Sequence, residues 1–339
     1  MTDEGRPVFV RPNEQPAPIG DVDASGQPVF VDRPDDMNFP PEDPERPWPG
    51  YVAPVTFIAS FLAIIVASGV FVALIGGGGD SVDRYDYLFG LLQDLLWILV
   101  SISIPLAMVR WIKPEHLGLR RRHLGFSILK GIVVIIGFYG VAAVYASALG
   151  LDENSNKLLQ DTGFGDALGK DIAYALLYPV AAPVAEELLF RGVLFKGLRD
   201  SFRGRFGRGP AVALGAVLSG VIFGALHLGG GQDDFIPVLI ALGILLALAY
   251  EWSGTLYVPI FIHATNNAIA TGNSADPTHD WVIGLIAAGP FIAVAVAVLI
   301  GRLVRRLPSA RPPAVPPSTP TPPSGGAPQS PTFHRPQGL

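Results

Sequence analysis

An all-α, polytopic membrane bundle of about eight spanning helices, flanked by disordered N- and C-terminal tails, is the fold class this sequence predicts. Three observations carry that expectation. Of the 339 residues, 50% are hydrophobic and only 16% are charged, against about 25% charged in soluble domains. Mean hydropathy is +0.41. Eight apolar stretches lie near 52–77, 87–109, 124–149, 171–195, 210–229, 235–252, 254–272 and 282–303, each close to the roughly 20 residues that a membrane-crossing helix needs.

The elements follow in chain order. Residues 1–50 hold eleven Asp and Glu against four Arg, a balance of −7 that leaves the rest of the chain near +2. This tail is rich in Pro and has no apolar periodicity, so disorder is expected. It contains a short repeat, Pro7-Val8-Phe9-Val10 and Pro28-Val29-Phe30-Val31, which reads as low-complexity drift or as a paired docking motif. The start lacks a basic n-region and an apolar h-region, so no signal peptide is expected. The eight-span membrane domain then occupies 51–306. The tail 307–339 carries eleven prolines and should be an extended, polyproline-like tether or a ligand for a partner domain.

Orientation follows from Lys and Arg in the short loops. Loops 110–123 and 196–209 and the segment after the last span are basic, with Arg120, Arg199 and Arg305 among their cations. The alternate loops are acidic or neutral: Asp80–Asp86, Asp152–Asp166, Asp233–Asp234 and Asp276–Asp280. Eight spans place both termini on one side, and the charge pattern makes that side cytoplasmic. The chain has no cysteine, which excludes disulfides, thiolate metal sites and a thiol nucleophile. No basic block points to nucleic acid.

The informative residues are polar groups inside apolar spans. A carboxylate or guanidinium at a span centre costs about 2.5–3.5 kcal/mol on insertion scales and usually faces the bundle interior. The stretch Ala181–Phe195 carries Glu186, Glu187 and Arg191. Glu187 and Arg191 are i,i+4, on one helical face. Glu186 and Arg191 are i,i+5, about 140° apart at 3.6 residues per turn. Arg191 can therefore neutralise Glu187, and Glu186 is left with a free face, suited to take a proton from water. Pro183, just upstream, can kink the helix and bare its backbone. Span five ends in Phe223-x-x-x-His227, and span seven holds His263-x-x-x-Asn267. A glutamate can deprotonate water, and imidazoles can hold a metal or position that water. An amide can donate to an oxyanion. Each feature alone also has a structural reading, as an interhelical contact. His116, His123, His279 and His334 fall in loops or tails and are expected to be solvated. Asp94 is read as an interior polar contact, and Glu251 and Lys130 as span-end groups that snorkel.

Glu186-Glu187-x-x-x-Arg191, Phe223-x-x-x-His227 and His263-x-x-x-Asn267, in that order inside successive spans, resemble the CPBP family of CAAX proteases and bacteriocin-processing proteins. The resemblance covers about residues 170–275 and the eight-span plan. It implies a helical bundle with a membrane-embedded cavity. It also implies hydrolysis of a peptide bond near the C-terminus of prenylated, CAAX-type or other membrane-associated substrates. By the resemblance, Glu186 activates water with help from His227, His263 and Asn267 stabilise the oxyanion, and Glu187, Arg191 and Phe223 shape the site. Family members are called metalloproteases, and a metal-free glutamate mechanism is also proposed for them. A divalent metal such as zinc would take Glu186, His227 and His263 and keep one position open. No His-Glu-x-x-His helix supplies two ligands on one turn, and the reading adopted is glutamate-activated water with no obligatory metal.

Depth sets one condition. His227 lies about 12 Å from the midpoint of its span at 1.5 Å per residue, so a shared site requires that span to shift, tilt or break near Gly229-Gly230-Gly231. Two other function classes compete: a proton-coupled transporter, since intramembrane Glu and His also serve proton relays, and a non-catalytic scaffold or immunity protein whose tails bind partners.

Overall fold

Long apolar runs form most of the helices. The computed structural model describes residues 47–306, apart from 77–78, 110, 121–123, 152–161, 163, 230 and 275–276 and the side chains of 79–84 and 274. Its helices are α1 (Val52–Leu74), α2 (Gly79–Met108), α3 (Leu124–Leu149), α4 (Leu168–Leu176), α5 (Ala182–Glu187), α6 (Lys196–Phe206), α7 (Arg208–Ala225), α8 (Ile236–Ser253), α9 (Tyr257–Ser274) and α10 (Trp281–Arg305). Of the described residues 85% are helical, and no strand occurs among them. Two π-helical segments, Leu177–Ala181 and Leu188–Phe195, join α4, α5 and α6 into one continuous rod.

Among the described residues, seven segments are long and apolar enough to cross a membrane. The expected span not among them is the seventh, α9, whose 18 residues carry His263, Thr265, Asn266, Asn267 and Thr271 among apolar neighbours. The outer helices α1 and α3 expose Leu, Ile and Val to the surroundings, while the rod Leu168–Phe206 is the most buried span. A membrane protein buries polarity and exposes oil, and the rod, which bears the ionisable residues, takes the centre.

The structure departs from four expectations. Residues 196–209 are not a loop, because 196–206 continue the rod as α6. The charges at its start are satisfied internally: Asp200 receives Lys196 Nζ at 3.3 Å and Arg199 Nη2 at 2.7 Å, and Arg199 Nη1 reaches Glu251 at 2.6 Å. Glu251 thus holds Arg199 and Arg208 instead of snorkelling. His116 is buried, not solvated. Its Nδ1 accepts the Lys113 N–H, and its ring meets Trp111 edge-on. The described end of the N-terminal tail is also packed, since Trp48 is buried and its backbone N–H donates to Asp200. The rest of that tail, including the repeat, and the tail 307–339 lie outside the described residues, as do His123 and His334.

Close helix packing has a small-residue cause. A Cβ on Gly220 would stand 2.8 Å from the backbone N of Ile244, and one on Gly243 would stand 2.8 Å from Gly220 Cα. Gly220 and Gly224 form a G-x-x-x-G face that brings α7 against α8. Gly220→Ala should therefore lower the melting temperature of the detergent-solubilised protein, by the roughly 1–3 kcal/mol typical of overpacking. An unchanged melt would show that α7 and α8 can separate without penalty.

Candidate active site

The two prolines of the rod explain its local geometry. In the first π turn the Ala182 N–H reaches back to the Leu177 carbonyl, five residues earlier. The next group in that ladder would bond the Tyr178 carbonyl, but it belongs to Pro183, which has no N–H. Asn267 on α9 fills the gap, with Nδ2 donating to Tyr178 O at 3.0 Å. Pro179 also packs on Gly289 of α10, where an added Cβ would stand 2.6 Å from the ring. π-helical turns of this kind recur at functional sites.

Glu187 is wholly buried and joins two helices. Its Oε1 receives Arg191 Nη1 at 2.7 Å and His263 Nδ1 at 2.8 Å. Arg191 Nη2 donates to the Gly243 carbonyl at 3.0 Å. The guanidinium lies 4.7 Å from the Phe223 ring centroid, a cation–π contact in a dry setting. Phe223 in turn meets His227 at 4.9 Å and His263 at 5.5 Å, so it forms the wall between the two imidazoles.

Acceptor partners fix the tautomers. A carboxylate and a carbonyl can only accept, so Nδ1 of His263 carries its proton toward Glu187. Nδ1 of His227 does the same toward Phe223 O, at 2.8 Å. Both Nε2 atoms are left for other partners. His263 Nε2 stands 3.8 Å from Glu186 Oε2, and that oxygen has no hydrogen-bond partner in the protein.

Glu186, Phe223, His227, His263 and Asn267 line one cavity of about 380 Å³, within the range of ligand pockets. Glu187 and Arg191 sit behind it. The depth condition is met without moving α7 inward. That helix stops at Ala225, His227 follows in a turn, and the cavity extends out to this turn. Asp94, read from the sequence as an interior contact, lines the same cavity, with Gln93, Tyr178 and Asn266. Asp94 is 3% exposed and its Oδ2 has no partner in the protein. An acid in the middle of a span was the available signal for it. His279 is exposed and does not line the cavity. Among the described residues, no three His, Asp or Glu side chains are arranged to hold a metal ion. Glu186, His227 and His263 do not form that ligand set here, and no step below passes through a metal.

Comparison with known proteins now bears on this arrangement. Residues 168–269 match the family model described as type II CAAX prenyl endopeptidase Rce1-like. The chain is 35% identical over 185 residues to the membrane-embedded CAAX protease MroQ of Staphylococcus aureus (strain USA300), covering 52% of this chain and 70% of that protein. The chain belongs to the CPBP family. Two further relatives share this stretch. An uncharacterized 24.3 kDa protein of Escherichia coli is 28% identical over 52% of this chain and 76% of its own length. The uncharacterized protein YpbD of Bacillus subtilis (strain 168) is 26% identical over 44% of this chain and 67% of its own. No solved structure matches the chain. CPBP membership makes this an integral, multi-pass membrane protease, and the matched residues span all the polar groups of the cavity except those on α2.

Proposed function

We propose that this CPBP protein hydrolyses a peptide bond in a membrane-associated substrate, lipid-modified (CAAX-type) or not, with Glu186 as the base that activates water. The observation that carries the reading is the unpartnered Glu186 Oε2, facing His263 Nε2 across 3.8 Å within the cavity. That gap is too long for a direct hydrogen bond and suits a bridging water.

Glu186 takes one proton from the water, assisted by the free Nε2 of His227, and the water oxygen attacks the scissile carbonyl carbon. The carbonyl oxygen becomes an oxyanion. Asn267 offers its second amide N–H to it, the first being held by Tyr178 O. His263 offers Nε2–H once that nitrogen has taken a proton from solvent through the cavity, with Glu187 holding Nδ1–H. Glu186 then passes its proton to the leaving nitrogen as the C–N bond breaks, giving a carboxylic acid, which releases its proton to solvent, and an amine. Such preorganised donors in a water-poor site contribute strongly because little reorganisation is needed.

The functional unit is proposed to be 51–306, with the tails as tethers or docking segments for a partner, and both termini in the cytoplasm. Purified wild type should cleave members of a library of prenylated and unprenylated C-terminal peptides, read by mass spectrometry, and should do so in the presence of a chelator. His227→Ala and His263→Ala should each abolish cleavage. Loss of activity with the chelator, restored by zinc, would replace glutamate-activated water with a metal mechanism. Proton flux without cleavage would support the transporter reading. A chain that cleaves nothing but fails without its tails would support the scaffold.

A further inference from the structure

The cavity belongs to one end of the bundle. Its wall is built from the start of α2 (Asp86, Gln93), the first half of the rod (Tyr174, Glu186), the turn after α7 (His227, Gln232) and the second half of α9 (Ala270). In chain order these are the segments next to the acidic or neutral loops: α1–α2, α3–α4, α7–α8 and α9–α10. Leu226 is 45% exposed and His227 is half-buried at this end, so the wall opens there.

The other end is shut. Leu117, Leu119, Phe195, Leu256 and Tyr257 are fully buried. Arg120 Nε donates to Gly254 O, Thr255 Oγ1 to Arg120 O at 2.7 Å, and Arg305 Nη1 to Leu119 O at 2.8 Å. The Lys196–Asp200–Arg199–Glu251 ion pairs complete the closure. This is also the end rich in Lys and Arg, the end that charge bias retains in the cytoplasm.

We infer that the catalytic cavity opens to the non-cytoplasmic face, so that its substrate is an exported or membrane-inserted peptide presenting its scissile bond from that side, not a C-terminus prenylated and held at the cytoplasmic face. The inference rests on the proposed peptidase reading for the word substrate, but the direction of access stands on topology alone. Water for Glu186 arrives through the same mouth.

The natural absence of cysteine gives a clean test. In the full chain, expressed in the bacterial cytoplasmic membrane, single cysteines are placed at Gln232→Cys on the rim and Ala182→Cys in the cavity wall one turn before Glu186. A third, Phe206→Cys, sits at the basic end, where the residue is exposed. Intact cells are treated with a small, charged, membrane-impermeant thiol reagent. Gln232→Cys and Ala182→Cys should be modified from outside, and Phe206→Cys only after permeabilisation. Ala270→Cys on the opposite wall serves if Ala182→Cys fails to accumulate. Modification of Phe206→Cys in intact cells would overturn the inference, as would cavity cysteines that react only after permeabilisation. None of these outcomes depends on cleavage, whereas the peptidase reading fails separately if Glu186→Gln retains activity.

Discussion

Glu186→Gln should eliminate peptide cleavage while leaving the membrane domain folded. The substitution keeps the shape of the side chain and removes the ability to take a proton from water. Loss of a positioned general base reduces rate by roughly 10²–10⁴-fold, which places the variant at or below the detection limit of a peptide assay. Stability should barely change, because Glu186 Oε2 has no protein partner to lose. The contrast with its neighbour sharpens the test. Both glutamates lie in α5, where consecutive side chains point about 100° apart. One carboxylate faces the cavity, and the other is locked between Arg191 and His263. The measurement pairs cleavage by mass spectrometry with a thermal melt of the same preparation. Full activity in Glu186→Gln would show that the base lies elsewhere, and Asp94, buried in the same cavity with a free oxygen, would be examined next.

The fold was largely legible because the bilayer demands so few patterns. Spans 124–149 and 282–303 lie within a few residues of α3 and α10, since long apolar runs leave no other solution. The pairing of Glu187 with Arg191 is legible from i,i+4 spacing, although Leu188–Phe195 is π-helical. The assignment survives because the two glutamates separate within α5, before the π turn begins. What spacing could not give is tertiary. Nothing local says that Tyr178 O is orphaned by Pro183 and satisfied from α9, or that Glu187 also orients His263, 76 residues away. The buried His116 and the helical 196–206 were misread for one reason. Polar residues near a span end look solvated until the groups that satisfy them, Lys113 N–H in one case and Glu251 in the other, come together in the fold.

Glu187→Ala and Arg191→Ala should be the most destabilising single substitutions at the site. Both side chains are fully buried, and removing one leaves the other's charge uncompensated, which costs about 3–5 kcal/mol. The losses should not match in kind. Without Arg191, Glu187 keeps His263 as a partner. Without Glu187, the guanidinium keeps only the Gly243 carbonyl and its aromatic neighbours, and His263 Nδ1 loses its acceptor. Glu187→Ala should therefore be the less stable of the two. The double variant Glu187→Met/Arg191→Met discriminates between the roles of the pair. It restores volume and removes both charges, so its melting temperature should recover well beyond the sum of the single losses, as coupled neighbours do. Cleavage should stay absent, because His263 remains without the carboxylate that fixes its tautomer and aim. Recovery of stability together with activity would make the pair purely structural. Recovery of stability alone would assign Glu187 a second task, holding His263 Nε2 toward the water that Glu186 activates.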